Sequence, residues 1–313
     1  DTYFHPGWTN YRKRLQYQTY AVTLHSGKNR VALTLANGWY KGTLGFMPEP
    51  NHYGDTTAAL AALCITYADG REEWIGTDES WLCTTGAVQF SEIYDGETQD
   101  FTAAPAAPQS AKLFDYSFDT IIGQENEPVR CLQRLPVVRE FTAPNGDHLF
   151  DFGQNLTGWV EVEIYGDKGQ QLTLRHAESL DENGNFYTEN LSWAKATDTY
   201  ILGGGKQILH PHFTWHGFRY LCVQGLAYGQ NVQFTACHLS TDLQQTGHFT
   251  CSDARVNRLQ QNIRWSQRDN FLDIPTDCPQ RSERLGWTGD VTAFCPTAAF
   301  NENIMPFMTK WLR

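Results

Sequence analysis

Residues 158–166 read GWVEVEIYG. Val160, Val162 and Ile164 alternate with Glu161 and Glu163, the period of a strand with one apolar and one wet face. The pattern recurs downstream. Residues 170–178 (QQLTLRHAE) repeat it with Leu172 and Leu174, and 218–226 (FRYLCVQGL) and 231–239 (NVQFTACHL) add two more strands. Between them lies the polar turn cluster DENGNFYTEN, residues 181–190, centred on Asn183-Gly184. Short strands at turn-punctuated spacing predict a β-sandwich over 128–245.

Upstream, residues 1–127 also read as all-β, a first sandwich. RVALTLANGWYKG, 30–42, alternates Val31, Leu33 and Leu35 toward a core and reaches a turn at Asn37-Gly38. AALCITYADGREEWIGTD, 61–78, reads as a hairpin turning at Asp69-Gly70, with Trp74 and Ile75 on its second strand. TAAPAAPQSA, 102–111, is a loop or boundary.

The character changes near 246. In CSDARVNRLQQNIRW, 251–265, Val256, Leu259 and Ile263 fall at helical spacing behind an N-cap at Ser252 or Asp253. DVTAFCPTAAF and FMTKWLR also read as helical, so 246–313 is expected to be a helical region. The fold class is mainly β, two sandwiches followed by helices.

Composition narrows the function classes. The 313 residues carry a net charge of −11. That disfavours nucleic acid and anionic membranes, which require lysine and arginine clusters. No apolar run approaches the ~20 residues of a membrane span. No signal peptide opens the chain, which begins at Asp1 rather than Met, so an upstream segment stays open. The eight cysteines form no CxxC pair and read as mostly buried, reduced thiols, which favours the cytoplasm. His210, His212 and His216 in HPHFTWHGF read as one face of a strand with a turn at Gly217 rather than as a metal site; His52, His176 and His248 read as isolated.

Residues 273–290, DIPTDCPQRSERLGWTGD, stand apart. Pro275 and Pro279 forbid a regular helix through the first half, and Gly286 and Gly289 punctuate the second. Asp277, Glu283 and Asp290 gather around Arg281, Arg284 and Trp287. If the second half winds into a helix, Glu283, Trp287 and Asp290 share one face. Clustered carboxylates raise one another's pKa, and a neutral carboxylic acid is what protonating a glycosidic oxygen requires. A salt-bridged structural loop would gather the same residues, so spacing alone leaves both readings open.

The run DCPQRSERLGWTGD, 277–290, closely resembles the signature of the bacterial α-L-rhamnosidases of glycoside hydrolase family 78, approximately D-C-P-Q-R-D-E-R-L-G-W-T-G-D. Ser282 is the one departure. The resemblance extends over PGWTNYRKRLQYQTYAVT (6–23), NGWYKGTLGF (37–46), LPVVREFTAPNGDHLFDFGQNLTGWVEVEIYG (135–166), YTENLSWAKATDTYIL (187–202) and FTWHGFRYLCVQG (213–225). It implies an N-terminal jelly-roll-like β domain over 1–127, a concanavalin-like sandwich over 128–245, and over 246–313 the first helices of an incomplete catalytic (α/α)6 barrel.

It further implies hydrolysis of terminal α-L-rhamnosyl groups with inversion, with Glu283 as general acid. Asp277, Arg281, Trp287 and Asp290 are implied to bind the rhamnose. The implied partner is a rhamnosylated glycoside or oligosaccharide, with no cofactor and no metal, and a homo-oligomer stays open. The general base is expected beyond Arg313, so the 313-residue chain alone is expected to be inactive or nearly so. From another class, the chain reads as a carbohydrate-binding or structural β module; that reading places a sugar site on a sandwich, indifferent to position 283.

Overall fold

The computed structural model describes residues 1–313, the whole chain. Ten strands build its central sheet: β1 (Val88–Glu92), β2 (Gly96–Asp100), β3 (Val129–Pro136), β4 (Arg139–Thr142), β5 (His148–Gly166), β6 (Gln171–Ala177), β7 (Thr197–Ile201), β8 (Gly205–Leu209), β9 (His216–Gln224) and β10 (Val232–Thr241). They run in the order β1-β2-β7-β6-β9-β5-β10-β3, with β4 and β8 joined to β5 off this path. β2 and β7 pair in parallel. Two strands from within the first 127 residues therefore join the sheet built by the following segment.

β5 carries the quoted stretch and is 19 residues long. Its first half pairs with β4 and β9, its second half with β8 and β10. The register against β9 shifts between Asp151 and Leu156, where Gly153 takes a φ of +75°. A bulge of this kind bends a strand, and β5 changes partners along its length. The alternation holds as expected: Val160, Val162 and Ile164 are buried with Phe150, Phe152, Leu172, Leu174, Phe218 and Phe234 in the largest apolar cluster. Glu161 and Glu163 face outward and pair with Arg134 and Lys206.

A second cluster contains Trp39, Tyr94, Trp159 and Trp215, with the N-terminal segment laid across it. Phe4 packs on Trp215 at 5.1 Å and Tyr3 edge-on to Trp159 at 4.9 Å between ring centres. This cluster supports the loop described below.

After the sheet come α1 (Ala254–Asn270), α2 (Thr288–Asn301) and α3 (Met305–Leu312). Asp253 caps α1 and accepts the Arg255 N–H at 2.8 Å, which satisfies a donor the helix cannot. Phe271, Ala298, Phe307 and Met308 bury a small core between the helices. No helix is long and apolar enough to cross a membrane.

Three local expectations fail. Residues 31–35 form no strand, and Val31, Leu33 and Leu35 are exposed. Alternation marks two faces, but burial needs a partner strand, and none pairs there. The helix read at 251–265 forms as α1 with its cap at Asp253; Val256 and Leu259 are exposed on it, and Gln267 and Asp269 are buried. Of the eight cysteines only Cys222, Cys237 and Cys278 are buried, while Cys64 and Cys83 are exposed on separate two-stranded sheets. Gly217 is no turn: it lies inside β9 opposite Thr157. The hairpin at Asp69-Gly70 forms as read, pairing Ala62–Thr66 with Glu72–Gly76.

Candidate active site

The chain between α1 and α2 is irregular. Asp277 N–H donates to the Leu285 carbonyl at 2.9 Å, and Leu285 N–H donates to Asp277 Oδ1 at 2.9 Å. These bonds close residues 277–285 into a loop. Inside it Glu283 N–H reaches the Arg281 carbonyl at 3.0 Å, and Arg284 adopts a φ of +49°, a conformation that non-glycine residues rarely accept.

Four of the five expected site residues meet on this loop. Arg281 Nη2 donates to Glu283 Oε2 at 2.9 Å and stands 3.8 Å from Asp277 Oδ2. Trp287 Nε1 donates to Glu283 Oε1 at 3.0 Å. Each oxygen of Glu283 therefore has its own donor, which fixes the plane of the carboxyl. Glu283 and Trp287 do not share a helix face. Helix α2 starts at Thr288, and the contact is made by the loop itself. Asp290 is exposed in the first turn of α2, with no side-chain hydrogen bond to the others.

Burial raises the Asp277 carboxyl above its ordinary range, and the charge of Glu283 adds to the rise. Burial also pushes the Cys278 thiol up to about 11, so it stays protonated at neutral pH. A protonated thiol is a poor metal ligand, although ligand atoms of Asp277, Cys278 and Glu283 lie within 4.8 Å of one another.

Residues outside the expected set hold the loop. Arg284 is fully buried and lies over the rings of Tyr94 and Trp215, 5.2 Å from each centre. Burial lowers its pKa to about 10. It has no carboxylate partner and donates instead to backbone carbonyls, including those of Trp215 at 2.7 Å and Ile93 at 3.0 Å. Ser282, the one departure from the family signature, is also buried, and its hydroxyl has no partner. The sequence offered no signal for Tyr94, since an aromatic in a β-rich chain reads as core.

The loop lies close against β9. A Cβ on Gly217 would fall 2.8 Å from Gln280 Cβ and 3.0 Å from its backbone. Gly217→Val is therefore expected to lower stability by about 1–3 kcal/mol through overpacking. Urea unfolding measures that loss. An unchanged midpoint would mean that the loop yields freely.

Trp287 also lines a cleft of about 370 Å³ with Trp8, Tyr53, Leu285 and Trp311. The N-terminal segment and the end of α3 form its walls, and of the expected site residues only Trp287 lines it.

A second titratable cluster lies inside the sheet. His176 and His216 stack at 4.1 Å, and His216 Nε2 is 3.0 Å from Asp198 Oδ2. Asp198 Oδ1 accepts the Glu97 N–H at 2.9 Å. Burial lowers His176 to about 3 and raises Asp198 to about 7, so all three groups tend to the neutral form. His176 is thus not isolated, and only topology brings it to His216.

Comparison with known proteins places these features in a family. Three family models match consecutive segments: alpha-L-rhamnosidase N-terminal domain over 1–132, bacterial alpha-L-rhamnosidase concanavalin-like domain over 141–240, and bacterial alpha-L-rhamnosidase 6 hairpin glycosidase domain over 244–313. An alpha-L-rhamnosidase of Streptomyces avermitilis is 42% identical over 323 residues, covering 98% of this chain and 31% of the relative. One from Formosa agariphila is 35% identical, covering 98% and 35%. The chain thus spans about a third of the length of the curated relatives it matches.

Among solved structures, the native rhamnosidase of Aspergillus terreus superposes with a TM-score of 0.91 at 37% identity, over 100% of this chain and 38% of that one. The Streptomyces avermitilis enzyme complexed with L-rhamnose superposes at 0.87 and 38% identity, over 99% and 32%.

Proposed function

The chain belongs to the bacterial α-L-rhamnosidases, and from that premise we propose that the protein hydrolyses terminal, non-reducing α-L-rhamnosyl groups with inversion, using Glu283 as general acid. One observation carries this reading. Glu283 is held by Arg281 on one oxygen and by Trp287 on the other, and Trp287 in turn lines a cleft with Trp8, Tyr53 and Trp311. A carboxyl fixed in this way can deliver a proton to the glycosidic oxygen as the bond to the sugar breaks.

The remaining roles are assigned to the other residues of the signature run. Trp287 offers an apolar face to the rhamnose ring or its methyl group. Arg281 and Asp277 offer hydrogen bonds to its hydroxyls, and Asp290 completes the set from α2. Asp277 does not serve as the base. Inversion needs two carboxyls about 6.5–9.5 Å apart to leave room for water, whereas ligand atoms of Asp277 and Glu283 lie within 4.8 Å. Glu302 is equally unsuited, being buried and bound to Arg268 at 2.9 Å and Gln267 at 3.2 Å.

The test is hydrolysis of a rhamnosyl-glucose disaccharide by the full-length gene product, followed by proton NMR. Free rhamnose is expected, first as the β anomer. Initial release of the α anomer would overturn inversion, and no release would overturn the substrate assignment.

A further inference from the structure

The residue that carries the acid is fixed by a part of the molecule far from it in sequence. Tyr94 lies in the turn between β1 and β2 and is 1% exposed. Its hydroxyl donates to the backbone carbonyl of Glu283 at 2.8 Å across 189 residues of chain. The same oxygen accepts the Gly45 N–H at 2.7 Å, so its direction is set from the other side. The ring is held edge-on by Trp193 at 5.1 Å.

The next residue of the loop is held as firmly. Arg284 reaches two carbonyls of the β region, Ile93 and Trp215. It also reaches two carbonyls of its own loop, Gln280 and Arg281, each at 3.2 Å. A positive charge with no carboxylate partner is costly to bury. Here it is met by four carbonyl dipoles and two aromatic faces, all convergent on one turn. That turn holds the left-handed Arg284, a conformation that persists only where its surroundings over-determine it.

We propose that Tyr94 and Arg284 are positioning residues that clamp the backbone of Glu283, making the β1–β2 hairpin part of the machinery that aims the acid. This rests on the reading of Glu283 as general acid. The side chain of Glu283 is oriented by Arg281 and Trp287, but those partners move with the loop. Tyr94 is the hydrogen-bond link from the Glu283 backbone itself to the sheet. Releasing it leaves the carboxyl intact and lets its direction drift, and small misplacements of a catalytic group are expensive in rate.

The experiment is Tyr94→Phe in the full-length gene product, assayed on two substrates. With a rhamnosyl-glucose disaccharide, whose leaving group needs the proton, kcat is expected to fall about ten-fold with KM within about two-fold. With a nitrophenyl rhamnoside, which leaves without help, kcat is expected to change less than about two-fold.

Thr157→Val is the control. Thr157 Oγ1 is buried, donates to the Asp269 carbonyl at 2.7 Å and makes no bond to Glu283, Tyr94 or Arg284. It should lower the melting temperature without changing the ratio between the two substrates. Equal losses on both substrates, or no loss on either, would overturn the clamp. Glu283→Gln in the same assay separates the two readings. If that variant keeps full disaccharide activity, the acid assignment itself fails, whereas its loss beside an unaffected Tyr94→Phe sinks the clamp alone.

Discussion

Glu283→Gln is expected to lower kcat for a rhamnosyl disaccharide by about 10²–10⁴, the usual worth of a general acid. The substitution is nearly isosteric. The amide oxygen can still accept from Arg281 Nη2 or Trp287 Nε1, which lie 2.9 and 3.0 Å from the two carboxylate oxygens. The loop around it is closed by two bonds between Asp277 and Leu285, one of them accepted by the Asp277 side chain, that the change does not touch. What is lost is the transferable proton. The loss should therefore scale with how much the leaving group needs it. A nitrophenyl rhamnoside should lose far less, and KM for either substrate should stay within about three-fold, because ground-state binding is unaffected. Steady-state kinetics on both substrates measure this. Equal, small losses on the two would mean that the proton comes from another group. A large loss on both with a raised KM would mean that Glu283 binds the sugar rather than protonating it.

Much of the fold was legible because its signals are local. Alternation at Val160, Val162 and Ile164 marks a buried face wherever partner strands lie on both sides, and β5 has them. The spacing around α1 and the cap at Asp253 are likewise written within a few residues. The same alternation misled at Val31, Leu33 and Leu35, because no strand pairs there and period alone cannot supply one. The loop residues were legible as chemistry, since carboxylates, arginine and tryptophan crowd between two prolines and two glycines. Their assembly was less so. Glu283 and Trp287 meet through a loop rather than a helix, and Asp290 stands apart from the others.

What holds the loop was not legible at all. Tyr94 is 189 residues away, and Arg284, which the sequence groups with the loop carboxylates, is fully buried and bound to carbonyls instead. Contacts of that range depend on topology. The insertion of β1 and β2 at the edge of the sheet is what brings Tyr94 under the loop.

The same dependence governs stability at the other end of the loop. Asp273→Asn is expected to cost about 3–5 kcal/mol, the range for breaking one side of a buried ion pair. Lys310 Nζ lies 2.7 Å from Asp273 Oδ2 and donates to the Asp273 carbonyl at 2.8 Å, with both side chains almost wholly buried. Asp273 also accepts the backbone N–H of Trp8 at 2.5 Å. One carboxylate thus joins the N-terminal segment, the chain leading into the 277–285 loop and α3. Asparagine tolerates the φ of +65° found at this position, so the cost is electrostatic rather than conformational. It leaves an ammonium in a site where burial already lowers the Lys310 pKa and Asp273 opposes that drop. Lys310→Met strands the carboxylate instead and should cost a similar amount. The double variant removes both charges and should lose less than the sum of the two, because neither partner is left uncompensated. Urea unfolding of the four proteins measures the coupling, and faster proteolysis near Trp8 in both single variants reports release of the N-terminal segment. Strictly additive losses would mean that the two charges do not stabilise each other. A near-neutral Asp273→Asn would mean that Lys310 finds enough compensation in the carbonyl alone.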